Sequence, residues 1–331
     1  MPIDRRAVLA LVAAPALLTG VRTGPARAQD YPQRPIRIVV PYPAGGPYDV
    51  LPRIVAQWIT AQHGWPIVID NRTGATGLIG VMAAKQAAPD GHTLVVVTTS
   101  THGSMPALKK QLSFDPVKDF APIALIADAT LVLLVRDELP ARNVAELIAL
   151  LRDKPGALTY SSGGFGSPQH LAIVTMFQRA GLARDVAVHL PFAGLGPALM
   201  ALISGNSQFM FVTTGLAMQH IASGKLRALA NSSLQRPPRL PQVRTMAELG
   251  YPGFEVMPWC GLAAPAGTPA AVLARWNELT NEALRDPKVR EQILAIDYDI
   301  RGGTAREFAE FIARDIGRYR TLARDMDLSE D

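Results

Sequence analysis

Pro35-Ile36-Arg37-Ile38-Val39-Val40-Pro41-Tyr42-Pro43-Ala44-Gly45-Gly46-Pro47-Tyr48-Asp49 is the stretch on which the fold turns. Ile36 to Val40 is a short β-branched run and reads as a strand, while Val50 to Gln62 carries a helical period. The residues between are small. Gly45 and Gly46 let the backbone approach a ligand closely, and Asp49 is placed to cap the helix that follows. Two later segments share this grammar of strand end, small residues and helix start. In Ser161-Ser162-Gly163-Gly164-Phe165-Gly166-Ser167-Pro168, Ser167 fits an N-cap and Pro168 the first helical position. In Pro191-Phe192-Ala193-Gly194-Leu195-Gly196-Pro197, the final proline again fits the first helical position. Unpaired amides and the helix dipole make such ends receptive to anions, and open α/β sheets bind ligands at the carboxyl ends of their strands. A tight turn explains any one loop alone; loops facing each other from two lobes would offer neutral donors to a small carboxylate.

Outward from this stretch the pattern keeps alternating. Ile67 to Ile69 and Thr93 to Thr98 read as strands and Leu78 to Ala87 as a helix, an α/β unit with a mostly parallel sheet. After Met105 to Pro122 comes a long extended stretch, Ile123 to Val135. A second α/β unit follows, with helices at Val144 to Arg152, Pro168 to Arg179 and Pro197 to Ile203. Its strands are Thr159 to Ser161, Val186 to Leu190, Phe209 to Val212 and Leu226 to Ala230. Glu255 to Ala264 is again extended, and helical patterns occupy Ala270 to Leu284, Pro287 to Ala295 and Ala305 to Asp325. This helical tail is too small for a sheet domain of its own and is expected to pack on the first unit. The two extended segments then form a two-stranded hinge, with a cleft that closes on a ligand. The expected domains are 29–128 with 256–331, and 129–255.

The chain has 331 residues, 48% hydrophobic and 18% charged, enough for two packed cores. Lys+Arg 33 against Asp+Glu 28 leaves +5, but Arg5, Arg6, Arg22 and Arg27 against Asp4 account for most of it. That distribution argues against a nucleic-acid binder. Those arginines belong to a segment with its own meaning. Arg5-Arg6, the apolar run Ala7 to Leu18, and Ala26-Arg27-Ala28 read as a secretory signal over 1–28, cleaved before Gln29. The paired arginines leave twin-arginine and ordinary export both open. Cys260 is the only cysteine, which excludes an intrachain disulfide and a thiolate metal cluster.

Catalytic patterns are sparse. His63, His92, His102, His170, His189 and His220 show no paired metal spacing, so neither a metal nor a cofactor is expected. Gly74, Gly77 and Gly80 form G-x-x-G-x-x-G, which is not the dinucleotide fingerprint, and no phosphate-binding lysine loop is present. Ser167 with His170 is a local pair without a nucleophile elbow. Asp49 is a general-base candidate, with capping as the alternative. The aromatics nearest the expected cleft are Tyr48, Phe165, Phe192 and Trp259, with plain core as the alternative for the last two.

Several segments together resemble the Bug receptors, the periplasmic substrate-binding proteins of tripartite tricarboxylate transporters. They include Tyr31-Pro32, the quoted Pro35 to Asp49 stretch, Asp70-Asn71-Arg72 with Gly74 and Gly77, and Ala88-Pro89-Asp90-Gly91-His92-Thr93-Leu94. Phe114-Asp115-Pro116-Val117-Lys118-Asp119-Phe120, Ser162-Gly163-Gly164 to His170-Leu171, Gly224 to Ala230 and Ala264-Pro265-Ala266-Gly267-Thr268-Pro269 complete the set. The resemblance implies a two-lobed periplasmic binding protein fold (type II) that closes on a small organic acid and hands it to membrane transporter subunits. It implies a monomeric, exported, non-enzymatic receptor. The loops at Ala44 to Asp49 and Ser162 to Ser167 would grip the carboxylate, and Ser100, Thr101 and His102 would line the first lobe.

The chain departs from the family pattern at Tyr48, where a small hydroxyl residue is usual, at Phe192-Ala193, where Tyr-Lys is usual, and at Val212, where an acid is usual. These departures point to a carboxylate with an apolar or aromatic body. Two other readings remain: an exported hydrolase or lyase using Ser167, His102 or Asp49, and a receptor that presents its ligand to a membrane sensor.

Overall fold

The computed structural model describes residues 31–328, so the expected signal segment lies outside the described residues. In chain order the first elements are β1 (Ile36–Val40), α1 (Pro47–His63), β2 (Ile67–Asn71), α2 (Leu78–Lys85), β3 (Thr93–Thr98), α3 (Met105–Leu108) and β4 (Phe120–Asp128). Next come β5 (Leu131–Arg136), α4 (Val144–Asp153), β6 (Thr159–Ser162), α5 (Pro168–Arg179), β7 (Val188–Pro191), α6 (Leu195–Ser204), β8 (Phe209–Thr213), α7 (Thr214–Ala222) and β9 (Leu226–Asn231). The chain then returns through β10 (Trp259–Pro265), α8 (Ala270–Arg285), α9 (Pro287–Ala295), β11 (Asp299–Gly302) and α10 (Ala305–Asp325).

Two sheets result, in the orders β11-β4-β10-β3-β1-β2 and β7-β6-β8-β5-β9. Neither is mostly parallel. In the first sheet β1 pairs β2 and β3 in parallel, but β10 runs antiparallel to β3 and β4, and β11 antiparallel to β4. In the second, β6 is parallel to β7 and β8, while β5 is antiparallel to β8 and β9. In the first sheet the mixture arises largely from β10, which returns from the other lobe and runs against both of its neighbours. Every residue of β3 is buried, as expected for a central strand covered on both faces.

The long extended stretch divides between the lobes. β4 ends at Asp128, Ala129 and Thr130 cross over, and β5 begins the second sheet. The return passes alongside: Ala129 N donates to Pro258 O, and Val256 N donates to Ser232 O. These two crossings are the hinge.

The helical tail does not stay on the first sheet. Phe308, Ile312 and Ile316 of α10 join the first core with Trp259 and Val97, whereas Tyr319, Leu322 and Ala323 join the second with Phe177 and Phe211. One amphipathic helix thus serves both cores, which a local period cannot reveal. Its close seating on β10 depends on Gly261, where a Cβ would lie 2.3 Å from Phe308 Cζ and 2.7 Å from Ala124 O. Gly261→Ala is expected to destabilise by about 1–3 kcal/mol through overpacking, measured as a lower urea midpoint at unchanged m-value.

Candidate functional site

β1 ends at Val40 and α1 starts at Pro47 with Gly46 as its cap, so the first loop runs directly into a helix N-terminus. Asp49 is therefore the third helical residue, not the cap. Its buried carboxylate is fully engaged: Oδ2 accepts from Gly45 N at 2.9 Å and Arg53 Nε at 2.8 Å, and Oδ1 accepts from Asn71 Nδ2 at 2.8 Å. Asn71 Nδ2 also donates to Tyr42 O, and Arg53 Nη2 to Asn71 Oδ1. Burial alone would raise the Asp49 pKa, but Arg53, the Gly45 amide and Asn71 outweigh it and hold the carboxyl below its ordinary value. The acid is an organiser of the loop. Asp49→Ala is expected to cost about 2 kcal/mol. That cost should shrink as pH falls through the depressed carboxyl pKa, since the wild-type group then protonates in the folded state. Paired urea titrations at pH 7 and pH 3 check this.

Tyr42 and Tyr48 stand beside this loop with ring centroids 4.8 Å apart, tilted 47°. Tyr42 Oη and Thr98 Oγ1 share a 2.6 Å hydrogen bond, and burial pushes the Tyr42 phenol up to about 12. Burial, then Tyr298 and Tyr42, raise the Tyr48 phenol well above its ordinary value, so both phenols are neutral donors. Gly80 sets α2 against the start of the same loop: a Cβ there would lie 2.8 Å from Pro41 Cα.

After β3 the chain forms a π-helical turn, Thr99–Ser104, capped by reciprocal bonds between Thr98 and Thr101. Such turns aim side chains in directions that a continuing strand or α-helix would not. Ser100 borders the space between the lobes, and the Thr101 methyl lies under Gly77. His102 turns away from the cleft. It lies in the first core against Phe114 and Phe120 at 5.6 and 5.0 Å, and burial drops its pKa to about 3. The expected lining role of His102 is thus corrected. Trp259 is corrected likewise: it is fully buried, edge-on to Phe308 and Phe311, with Nε1 donating to Asp315 Oδ2 at 2.8 Å.

The second-lobe loop is built on hydroxyls and imidazoles. Ser162 Oγ accepts from Gly164 N at 3.1 Å and lies 2.7 Å from His189 Nε2. Gly166 N donates to His170 Nδ1 at 3.2 Å, which places the ring proton on Nε2. Ser167 caps α5 by accepting from His170 N, with Pro168 first in the helix. The His170, His189 and Tyr160 rings stack in series, with centroid spacings of 4.4 and 4.8 Å, and Phe165 lies 4.9 Å from His170. Burial lowers His170 to about 3, helped by His189, and lowers His189 to about 4. Phe192 N donates to Ser162 O, joining the third loop to the second. There α6 starts at Leu195 behind Gly194, so Pro197 is its third residue and not its first.

The two lobes meet where Ser104 Oγ donates to Gly166 O at 2.8 Å. Beside that bond is a cavity of about 20 Å³ lined by Thr76, Ser100, Ser104, Phe165 and Gly166, with Lys109 on its border. It has room for one water, so a ligand of several heavy atoms needs the lobes to part. Two larger hollows of about 610 and 550 Å³ are lined by none of the loop residues. Among the described residues, the amides of Gly46, Gly163 and Phe165 have no acceptor within the protein. Thr76, Asn71, Ser104 and His189 were not singled out from sequence for this site. Only the glycines around Thr76 signalled its turn, where Ala75 and Thr76 both have positive φ. No group of three or more His, Cys, Asp or Glu among the described residues is placed to hold a metal, and no described helix is long and apolar enough to cross a membrane.

Comparison with known proteins gives a consistent result. The tripartite tricarboxylate transporter family receptor pattern matches residues 51–328. Protein BugT of Bordetella pertussis (strain Tohama I) is 35% identical over 303 residues, 91% of this chain and 92% of its own. Two solved structures from Rhodopseudomonas palustris are similar. Rpa4515 with adipate has TM-score 0.82 and 28% identity, covering 91% of this chain and 99% of its own. MatC with bound malate has TM-score 0.79 and 32% identity, covering 88% and 99%.

Proposed function

Because this chain belongs to the tripartite tricarboxylate transporter receptor family, we propose that it is an exported, monomeric receptor closing on a small carboxylate with an apolar or aromatic body. The observation that carries this reading is the pairing of uncommitted amides on both lobes with a wall of neutral aromatic rings. Gly46 on one side and Gly163 and Phe165 on the other offer N–H donors, while Tyr42 and Tyr48 offer ring surface. In the similar structures, adipate and malate are the ligands, both carboxylates. The proposed lobes are 29–128 with 256–331, and 129–255, and the proposed partners are transporter subunits that recognise the closed form.

The reading is one of binding without turnover. Ser167 is spent on a helix cap, Asp49 on three donors, and His102 on the core. The three groups are held in separate local networks.

A thermal-shift panel on the chain from Gln29, with aliphatic, amino and aromatic carboxylates, tests the proposal. A ligand that binds only the native state raises stability by RT ln(1 + [L]/Kd). The expected result is a shift with aromatic or apolar-bodied acids and none with aspartate. A shift with aspartate or citrate alone would remove the aromatic-body reading, and no shift with any acid would remove the carboxylate clamp.

A further inference from the structure

A contact beside the hinge links the lobes through one carboxylate. Asp297 lies between α9 and β11 on the first lobe, with φ +57, a conformation that non-glycine residues rarely adopt and that Asp and Asn tolerate best. Its side chain is only 8% exposed, and Oδ1 lies 2.6 Å from Arg239 Nη1. Arg239 belongs to the second lobe, just before Leu240 and Val243, which pack in the second sheet's core with Val132 and Leu134. The other oxygen, Oδ2, fills the space beside Gly215, the second residue of α7, where a Cβ would lie 2.6 Å away. Thr213 caps that helix without a side-chain bond, so the first-lobe carboxylate supplies negative charge at the second-lobe helix end.

The position in the chain gives this contact its consequence. Asp297 is two residues from Asp299, which pairs with Asp128 at the end of β4, and Gly215 follows Thr214, whose N–H donates to Thr130 O. Both sides of the contact therefore flank the crossing at Ala129 and Thr130. A cross-link this near a pivot restricts the angle between the bodies it joins.

We propose that Asp297, clamped by Arg239 and seated against Gly215, is a positioning residue that sets the angle between the lobes and so the affinity for ligand. This rests on the reading of the protein as a closing receptor, but its test does not need the ligand. Spin labels at Val68→Cys and Val188→Cys, exposed sites on the two edge strands, report the interlobe distance. Cys260 is fully buried and its thiol is pushed up by burial, so it does not compete for label. Two changes break the contact in different ways. Asp297→Asn keeps the backbone preference and removes the charge; Gly215→Ala keeps the charge and evicts the carboxylate, while improving helix propensity.

In the ligand-free chain, both changes are expected to broaden the interlobe distance distribution at least twofold, with the urea midpoint of Gly215→Ala unchanged or raised. Where a ligand has been found, its Kd should rise about tenfold in both. Distance distributions as narrow as wild type in either variant would overturn the clamp, whether or not any carboxylate binds. Broad distributions in both variants with no ligand found would support the clamp and count against the carboxylate reading instead.

Discussion

Lowering the pH from 7 to 4 is expected to remove much of the protein's stability. His102, His170 and His189 are held at about 3, about 3 and about 4 by burial, against an ordinary value near 6.5. Their folded pKa values are depressed, so below about pH 6.5 the unfolded chain binds protons that the folded chain refuses. Stability is complete above that value and declines as pH falls toward the folded values, by up to about 1.4 kcal/mol per pH unit per histidine. Three such groups act on a total of about 5–15 kcal/mol. Asp128 and Asp315, whose pKa values burial raises, work in the opposite sense and offset part of the loss. In the folded chain His189 is the first of the three to protonate, near pH 4, and its protonation changes the bond with Ser162. Urea midpoints from pH 7 to pH 4 check the slope. His102→Phe removes Nε2, which is buried without a partner, together with the 3.1 Å bond between Nδ1 and Thr101 Oγ1, and should flatten the profile by about one proton. An unchanged slope in that variant would show that the His102 imidazole is not one of its sources.

Tyr48→Ser is expected to lower affinity for an aromatic acid about ten- to a hundredfold while leaving affinity for a short dicarboxylate within a few fold. The ring contributes buried surface and about 0.5–1.5 kcal/mol of aromatic pairing beyond it. Tyr48 has Tyr42 as its ring neighbour, so its removal opens one wall without touching the Asp49 network. Ser162→Ala should instead weaken every carboxylate by a similar factor, because it leaves the Gly164 amide and His189 Nε2 without their shared partner. Calorimetric titration of both variants with benzoate and adipate separates a selectivity residue from a loop brace. Equal losses for both acids in Tyr48→Ser would refute the ring's role in selection.

Elements with strong local punctuation could be read from the sequence to the residue. Ser167-Pro168, Asp286-Pro287 and the Thr304–Glu307 capping box mark the starts of α5, α9 and α10, and all three helices run where the pattern placed them. Nothing local announces α7, because Gly215 stands in its first turn and Thr213 makes no cap bond. β11, a four-residue edge strand with half its residues exposed, has no hydrophobic run to announce it. The sense of pairing is hidden for a different reason: strand direction in the first sheet depends on β10, which arrives after the whole second lobe. In the site, the loops were readable from their glycines and caps. The directions of His102 and Trp259 were not, because the π-helical turn after β3 and the crossing of α10 decide them over long distances in the chain.

The central claim is that this receptor closes on a carboxylate with an apolar or aromatic body. Calorimetric titration of the chain from Gln29 with benzoate and with aspartate, at pH 7, tests it most directly. The account predicts one-to-one binding of benzoate with a negative heat-capacity change, from apolar surface buried against Tyr42 and Tyr48, and no heat from aspartate. Tight aspartate binding with no benzoate binding would contradict it.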